Sequence, residues 1–265
     1  MNRYVVCMSV FSVLLSACDS TADFTGITAT TPAAPGPGQG VPDQALAGAW
    51  SGIDNSGNFI VVFSTNDGRF NLLIADNAEQ GVGTASVVGG ALTINYTQVA
   101  PFGFTLSDGS SSAACSGSGT IQERQTLSIS VDCTTAGGLS FNTFADLIYD
   151  PLNDRDSALS VIGGVYTDED AVVTSIAGDG VLFSQDPVSG CVQNGQVNVI
   201  DPDYNLYDVT ITYSNCLAPF TGLNGATFSG FALLNNDAAP ELIGFVLTGR
   251  VSNITVALDY VLART

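Results

Sequence analysis

The sequence predicts an all-β protein built from two tandem, small, antiparallel eight-stranded barrels. The first observation is a period-two alternation of apolar and polar residues, which buries one face of a strand and exposes the other. It is clearest over residues 127–132, 208–213 and 254–262. The second is that glycine-containing turn dipeptides recur at short intervals, and the third is that these features occur twice. A pair of β-sandwiches fits the same pattern and stays open as the alternative.

The chain begins with a pattern typical of an export signal. A short basic start, residues 1–3, precedes an apolar stretch of about a dozen residues, too short to cross a bilayer as a finished helix. Ser16 and Ala17 then precede Cys18. This order resembles the lipobox of bacterial lipoproteins, which implies cleavage before Cys18 and acylation of its thiol and its new amine. The alternative is a secretory signal without lipid, cleaved after Ala17.

The resemblance to a lipobox implies an address in the bacterial cell envelope. Residues 1–17 would be the signal peptide, and Cys18 would anchor the protein to the outer membrane or to the periplasmic face of the inner membrane. Residues 18–45 are mostly Thr, Ala, Pro and Gly without apolar periodicity, which predicts a disordered tether. A tether of this length has a reach of roughly 30 Å.

Residues 46–150 and 158–265 are predicted as two separate folding units. Each opens on a glycine followed two residues later by an aromatic ring, carries an Asp-Gly turn and closes on an alternating strand. The matching features are Gly48 and Trp50 with Gly164 and Tyr166, Asp67-Gly68 with Asp179-Gly180, and residues 140–149 with 254–262. A further match aligns Cys115, Gly119 and Ile121 with Cys191, Gly195 and Val197. Closed barrels suit such units because they leave no exposed sheet edge.

A polar segment without apolar periodicity, residues 150–156, is predicted as the linker. The Gly-x-Trp opening resembles lipocalin-like lipoproteins, in which the aromatic ring plugs the closed end of the barrel. The chain as a whole resembles uncharacterised proteobacterial lipoproteins that join two such halves through a Tyr-Asp-Pro segment, here Tyr149-Asp150-Pro151. That resemblance implies the fold and the anchor, and it implies no known activity.

Four cysteines remain after the signal cysteine Cys7 and the anchor Cys18 are set aside. An even number in an exported chain predicts two disulfides, and the repeat favours pairing neighbours. The predicted bonds are Cys115–Cys133 and Cys191–Cys216. A metal site is the alternative, but the spacings do not match a C-x-x-C pattern.

Composition excludes several function classes. The chain has no histidine and no lysine, and once Arg3 leaves with the signal, five arginines face 25 acidic residues. A mature net charge of −20 repels nucleic acids and anionic lipid headgroups, so the acyl chains would hold the membrane alone. Without histidine there is no usual general base near neutral pH and no triad built on one. We find no nucleophile elbow, aspartic-protease signature or phosphate-binding loop.

Two acidic segments are candidate cation sites. Asp201, Asp203 and Asn205 have the spacing that begins a calcium loop, but the glycine and the bidentate glutamate of an EF-hand are missing. A hairpin loop explains them without an ion. Residues 168–170, Asp-Glu-Asp, are interpreted as a solvated turn, with a hard cation as the alternative.

Two function hypotheses follow, with no cofactor in either. The first is a non-enzymatic, lipid-anchored envelope module that binds a small ligand or an envelope protein. The alternative is an envelope hydrolase that uses paired aspartates. Composition leaves the oligomeric state open.

Overall fold

The computed structural model describes residues 46–265, and these residues form two closed antiparallel barrels of eight strands each. The predicted fold class is confirmed, and the sandwich alternative is wrong because the first and last strands of each half pair and close the sheet. The predicted signal peptide, Cys18 and the tether lie outside the described residues.

The first barrel is an up-and-down meander that closes where β1 pairs with β8, with Trp50 opposite Tyr149. Its strands are β1 (Gly48–Asp54), β2 (Phe59–Ser64), β3 (Arg69–Ile74), β4 (Glu79–Val88), β5 (Ala91–Val99), β6 (Ser112–Gln122), β7 (Thr126–Thr135) and β8 (Ser140–Tyr149).

The second barrel repeats this topology and closes where β16 pairs with β9. Its strands are β9 (Gly164–Thr167), β10 (Val173–Ile176), β11 (Val181–Gln185), β12 (Val192–Val199), β13 (Tyr207–Ser214), β14 (Thr227–Asn235), β15 (Leu242–Val251) and β16 (Ile254–Arg264). A short 3-10 helix (Pro151–Asp154) and a one-turn helix α1 (Leu159–Ile162) lie between the barrels, and a 3-10 helix (Phe220–Leu223) precedes β14.

The predicted aromatic openers plug equivalent positions in the two barrels. Trp50 and Tyr166 are both completely buried. Trp50 Nε1 donates a hydrogen bond to the Leu46 carbonyl at 3.4 Å, and the Tyr166 hydroxyl donates to the Ile162 carbonyl at 2.6 Å. Each ring thus bonds to the residue four positions before it, and that residue is itself buried in the barrel core.

The Asp-Gly turns are equivalent as well. Gly68 and Gly180 both have φ of +85°, and a Cβ at either would lie 2.2 Å from a backbone oxygen, on β4 and β12 respectively, so only glycine fits. Each glycine carbonyl also accepts a 2.8 Å hydrogen bond from the same strand, from Ala85 N of β4 and Val197 N of β12. This part of the predicted repeat is confirmed.

Both predicted disulfides are present, but the cysteine alignment of the repeat is wrong. Cys115–Cys133 joins β6 to β7, the sixth and seventh strands of the first barrel. Cys191–Cys216 closes the β12–β13 hairpin, formed by the fourth and fifth strands of the second barrel. The shared spacing from Cys115 to Ile121 and from Cys191 to Val197 is therefore a coincidence between non-equivalent strands.

The interior of the first barrel is packed with side chains. A void lined by residues such as Leu46, Phe70 and Leu127 has a volume of about 30 Å³. That volume is roughly a tenth of the lower end of the usual range for small-molecule pockets, about 300 Å³.

A third apolar cluster, the seam, joins the outer faces of the two barrels. Val61, Phe63 and Leu73 from β2 and β3 pack against Phe231, Leu233 and Val246 from β14 and β15. The linker takes part, because Leu152 is buried in the same cluster. The predicted polar linker therefore contributes one apolar side chain to the seam. The proposed separate folding of residues 46–150 and 158–265 stays a prediction.

Two buried amides cross the seam. Asn71 Nδ2 donates to the Val246 carbonyl at 3.3 Å, and Gln80 Nε2 donates to the Leu258 carbonyl at 2.8 Å. Gln80 is fully buried, and its Oε1 has no hydrogen-bond partner. At the rim of the seam, Arg69 forms an ion pair of 3.0 Å with Asp208 of the second barrel. These polar contacts are directional, so they help to fix the orientation of the two barrels at an otherwise apolar interface.

Candidate binding cleft at the barrel junction

A cleft of about 240 Å³ opens at one end of the seam. The first barrel contributes its N-terminal residues and the β2–β3 turn, the second contributes the β12–β13 loop, and the linker contributes one residue. The lining residues are Ala47, Ser64, Thr65, Asn66, Asp67, Asn153, Ile200, Asp201, Tyr204 and Leu206. Because both barrels and the linker supply its walls, the cleft exists only while the barrels are docked.

The first-barrel wall is a tight turn held by its own side chains. Thr65 N donates to the Arg69 carbonyl at 3.0 Å, and Gly68 N donates to the Thr65 carbonyl at 3.0 Å. The Thr65 hydroxyl donates to Asp67, and Arg69 Nε lies 2.9 Å from the same carboxylate. These hydrogen bonds, that of Thr65 first, hold the pKa of Asp67 below its usual value. Asp67 is therefore an ionised group with its charge already paired.

The second-barrel wall carries a carboxylate of a different kind. Asp201 is half-buried, and one of its oxygens accepts a hydrogen bond of 3.1 Å from Asp203 N. Within residues 46–265 no arginine forms an ion pair with it. Asp201 thus faces the cleft with its charge uncompensated.

A polar network fixes the linker side of the cleft. Arg124 Nη2 donates to the Tyr204 hydroxyl at 3.3 Å, and the guanidinium lies 5.7 Å from the centre of that ring. Arg124 also pairs with Asp154 at 3.4 Å, and the Tyr149 hydroxyl donates to Asp154 at 2.5 Å. Burial and the neighbouring Asp154 raise the pKa of Tyr149, so its hydroxyl stays protonated and continues to donate.

Asn153 is the buried member of the lining. It is 1% exposed, and its Nδ2 donates to the Tyr149 hydroxyl at 3.2 Å. Its Oδ1 accepts no hydrogen bond. A buried amide oxygen is costly unless a water molecule or a ligand donates a hydrogen bond to it, and Asn153 borders the cleft.

The three residues of the suspected calcium loop do not converge. Asp201 lines the cleft, Asp203 is exposed, and Asn205 is buried. Asn205 Nδ2 donates to the carbonyls of Leu152 and Leu234, at 3.1 and 2.6 Å, and so ties the linker to the second barrel. Across residues 46–265 no three His, Cys, Asp or Glu side chains form a group that could hold a metal ion. The hairpin-loop interpretation of this segment fits the geometry, since the loop joins β12 to β13.

One other interpretation fits the observed geometry. The segment from Asp168 to Asp170 forms the turn between β9 and β10, where Asp168 accepts hydrogen bonds from two backbone amides of its own turn. Arg155 forms an ion pair with Asp237. No helix among the described residues is long and apolar enough to cross a membrane.

Sequence reasoning missed the seam, and with it the cleft. The overlooked signal was the absence of alternation in four strands. In β2 (Phe59–Ser64), β3 (Arg69–Ile74), β14 (Thr227–Asn235) and β15 (Leu242–Val251), buried residues run consecutively. A strand that buries both faces lies between two cores.

No family model matches the sequence, and a search of curated proteins finds no match.

Proposed function

We propose that this protein is a lipid-anchored binding module of the bacterial cell envelope, and that its ligand site is the cleft at the barrel junction. The anchor and the address rest on the lipobox at Cys18, as does the likeness to two-barrel proteobacterial lipoproteins. The single observation that carries the ligand site is a cleft walled by both barrels, with a buried acceptor, Asn153 Oδ1, left without a partner.

The size and lining of the cleft suit a small ligand rather than a macromolecule. A volume of about 240 Å³ is slightly below the usual range for drug-sized ligands. Polar groups sit beside the apolar side chains of Ile200 and Leu206, a combination that fixes both affinity and orientation.

Binding is favoured over the alternative of a hydrolase with paired aspartates. Such an enzyme needs one carboxyl with a raised pKa to act as the general acid. Asp67 has the opposite property, because Thr65 and Arg69 stabilise its ionised form. Asp67 is therefore not suited to be the general acid of such a pair.

Filling the cleft tests the proposed site. Ala47→Phe adds a ring at the cleft wall, and we expect it to displace any bound small molecule. Native mass spectrometry of the full chain in neutral detergent measures this: the wild-type protein carries a non-covalent adduct or acquires one from a small-molecule library, and Ala47→Phe does not.

The matched control is Ala136→Phe, which adds the same ring to an exposed turn between β7 and β8. It should bind as the wild type does. Equal binding by Ala47→Phe and the wild type would place the ligand elsewhere, and a wild-type protein that binds nothing from the library would count against the binding function itself.

The anchor is tested separately. Cys18→Ser removes the thiol that carries the lipid, so we expect no incorporation of labelled palmitate and a precursor that keeps residues 1–17 by intact-mass measurement. Cys7→Ser, within the predicted signal, is the matched control and should be labelled and cleaved normally. Palmitate on the Cys18→Ser protein would contradict the assignment.

A further inference from the structure

The junction cleft has an acidic lining. Its lining contains two carboxylates and no arginine. Asp67 is already engaged by Thr65 and Arg69, whereas Asp201 has no counterion among the described residues. Asn153 Oδ1 is a second acceptor without a donor.

From this arrangement we infer that the cleft binds a small organic cation, a primary ammonium group with a short apolar body, and that Asp201 is the carboxylate that recognises it. This inference rests on the proposed function of the cleft. An ammonium group supplies three donors and accepts nothing, which matches a site that offers open acceptors. The apolar body contacts Ile200, Leu206 and the side of Tyr204.

The negative net charge of the whole protein also favours a cationic ligand. The chain carries a formal net charge of −19, so its surface attracts cations and repels anions. A carboxylate ligand would approach Asp201, which has no counterion among the described residues. A bare divalent ion is disfavoured for a different reason: calcium takes six to eight oxygens, and the described residues offer no group of three carboxylates or other metal-binding side chains.

Three four-carbon probes separate charge from shape. Butylammonium, 1-butanol and butyrate have similar size and differ in charge, and calcium chloride serves as the inorganic cation. Each is titrated into the full chain in neutral detergent at fixed ionic strength, and the amide NMR shifts of Thr65, Asn66 and Tyr204 report on the cleft. We expect saturable shifts with butylammonium, and binding weaker by about tenfold or more with the alcohol and the acid.

The variant pair Asp201→Asn and Asp203→Asn assigns the recognising carboxylate. Both remove one charge from the same loop, but Asp201 lines the cleft and Asp203 is exposed to solvent. Asp201→Asn keeps the turn, because its amide oxygen accepts from Asp203 N as the carboxylate does. We expect Asp201→Asn to weaken butylammonium binding by about tenfold and Asp203→Asn by less than about twofold.

The outcomes distinguish this inference from the proposed function. Equal binding of butylammonium and 1-butanol, or equal effects of the two variants, overturns the cation assignment and leaves the cleft as a ligand site. Tighter binding of calcium than of butylammonium at the same amides also overturns it, in favour of an ion site. If no probe shifts the cleft amides, the cation inference fails, and the library screen described above decides the proposed function separately.

Discussion

Val246→Asp is expected to separate the two barrels. Val246 is completely buried in the seam, opposite strands β2 and β3 of the first barrel. A carboxylate placed there has no cationic partner among the seam residues, and an uncompensated buried charge costs about 3 to 5 kcal/mol. Undocking removes this penalty, so both barrels stay folded while the seam opens.

The readout is urea denaturation together with limited proteolysis of the linker, residues 150–158. Undocking exposes Leu152, so cleavage near it should accelerate strongly. The matched control is Val173→Asp, which places the same charge on an outward position of β10 that is 51% exposed. A Val246→Asp protein with wild-type stability and an uncut linker would show that the seam does not hold the barrels together.

Asp259→Asn is expected to stabilise the protein at neutral pH and to have little effect in acid. Asp259 lies on β16 against the seam, hydrogen-bonded to Gln80, and burial raises its pKa from the usual 3.8 to about 6. Since the folded-state pKa is raised, the favourable contribution is complete below about pH 4 and is lost as the pH rises through about 6.

The free energy involved is on the order of 2 to 3 kcal/mol, from 1.36 kcal/mol for each pKa unit. Asparagine is neutral at every pH, as the protonated acid is, so it avoids the cost of a buried charge. The stability of the variant should therefore exceed that of the wild type at pH 8 and approach it near pH 4. Urea titrations at both pH values measure this, with exposed Asp170→Asn as the control. A constant difference between the two proteins across this range would exclude Asp259 as the group that titrates.

The barrels could be predicted because each strand shows its pattern within a short stretch of sequence. Alternation places one face of β7 in a core, and the resemblance of the Gly-x-Trp opening to lipocalin-like lipoproteins predicted the plugs Trp50 and Tyr166. The disulfide partners were also accessible, because each pair lies on adjacent strands. The sequence could not show that the two cysteine pairs lie on different strands of their barrels. The spacing of residues within one strand does not indicate which strand of the meander that is.

The seam and the cleft depend on contacts between the halves, which no local pattern specifies. Val246 and Leu73 are separated by more than a hundred residues, and each reads as one more apolar residue in a strand. Only the failure of alternation in β2, β3, β14 and β15 indicated a second buried face. Asn153 gave no signal, because its role comes from the turn of the linker against Tyr149.

The claim that the seam couples the two barrels into one cooperative unit is tested most directly by scanning calorimetry of the full chain. With the seam intact, we predict a single transition whose calorimetric enthalpy equals its van't Hoff enthalpy, as expected for one cooperative unit. Two independent transitions in the wild-type protein, one for each barrel, would contradict it.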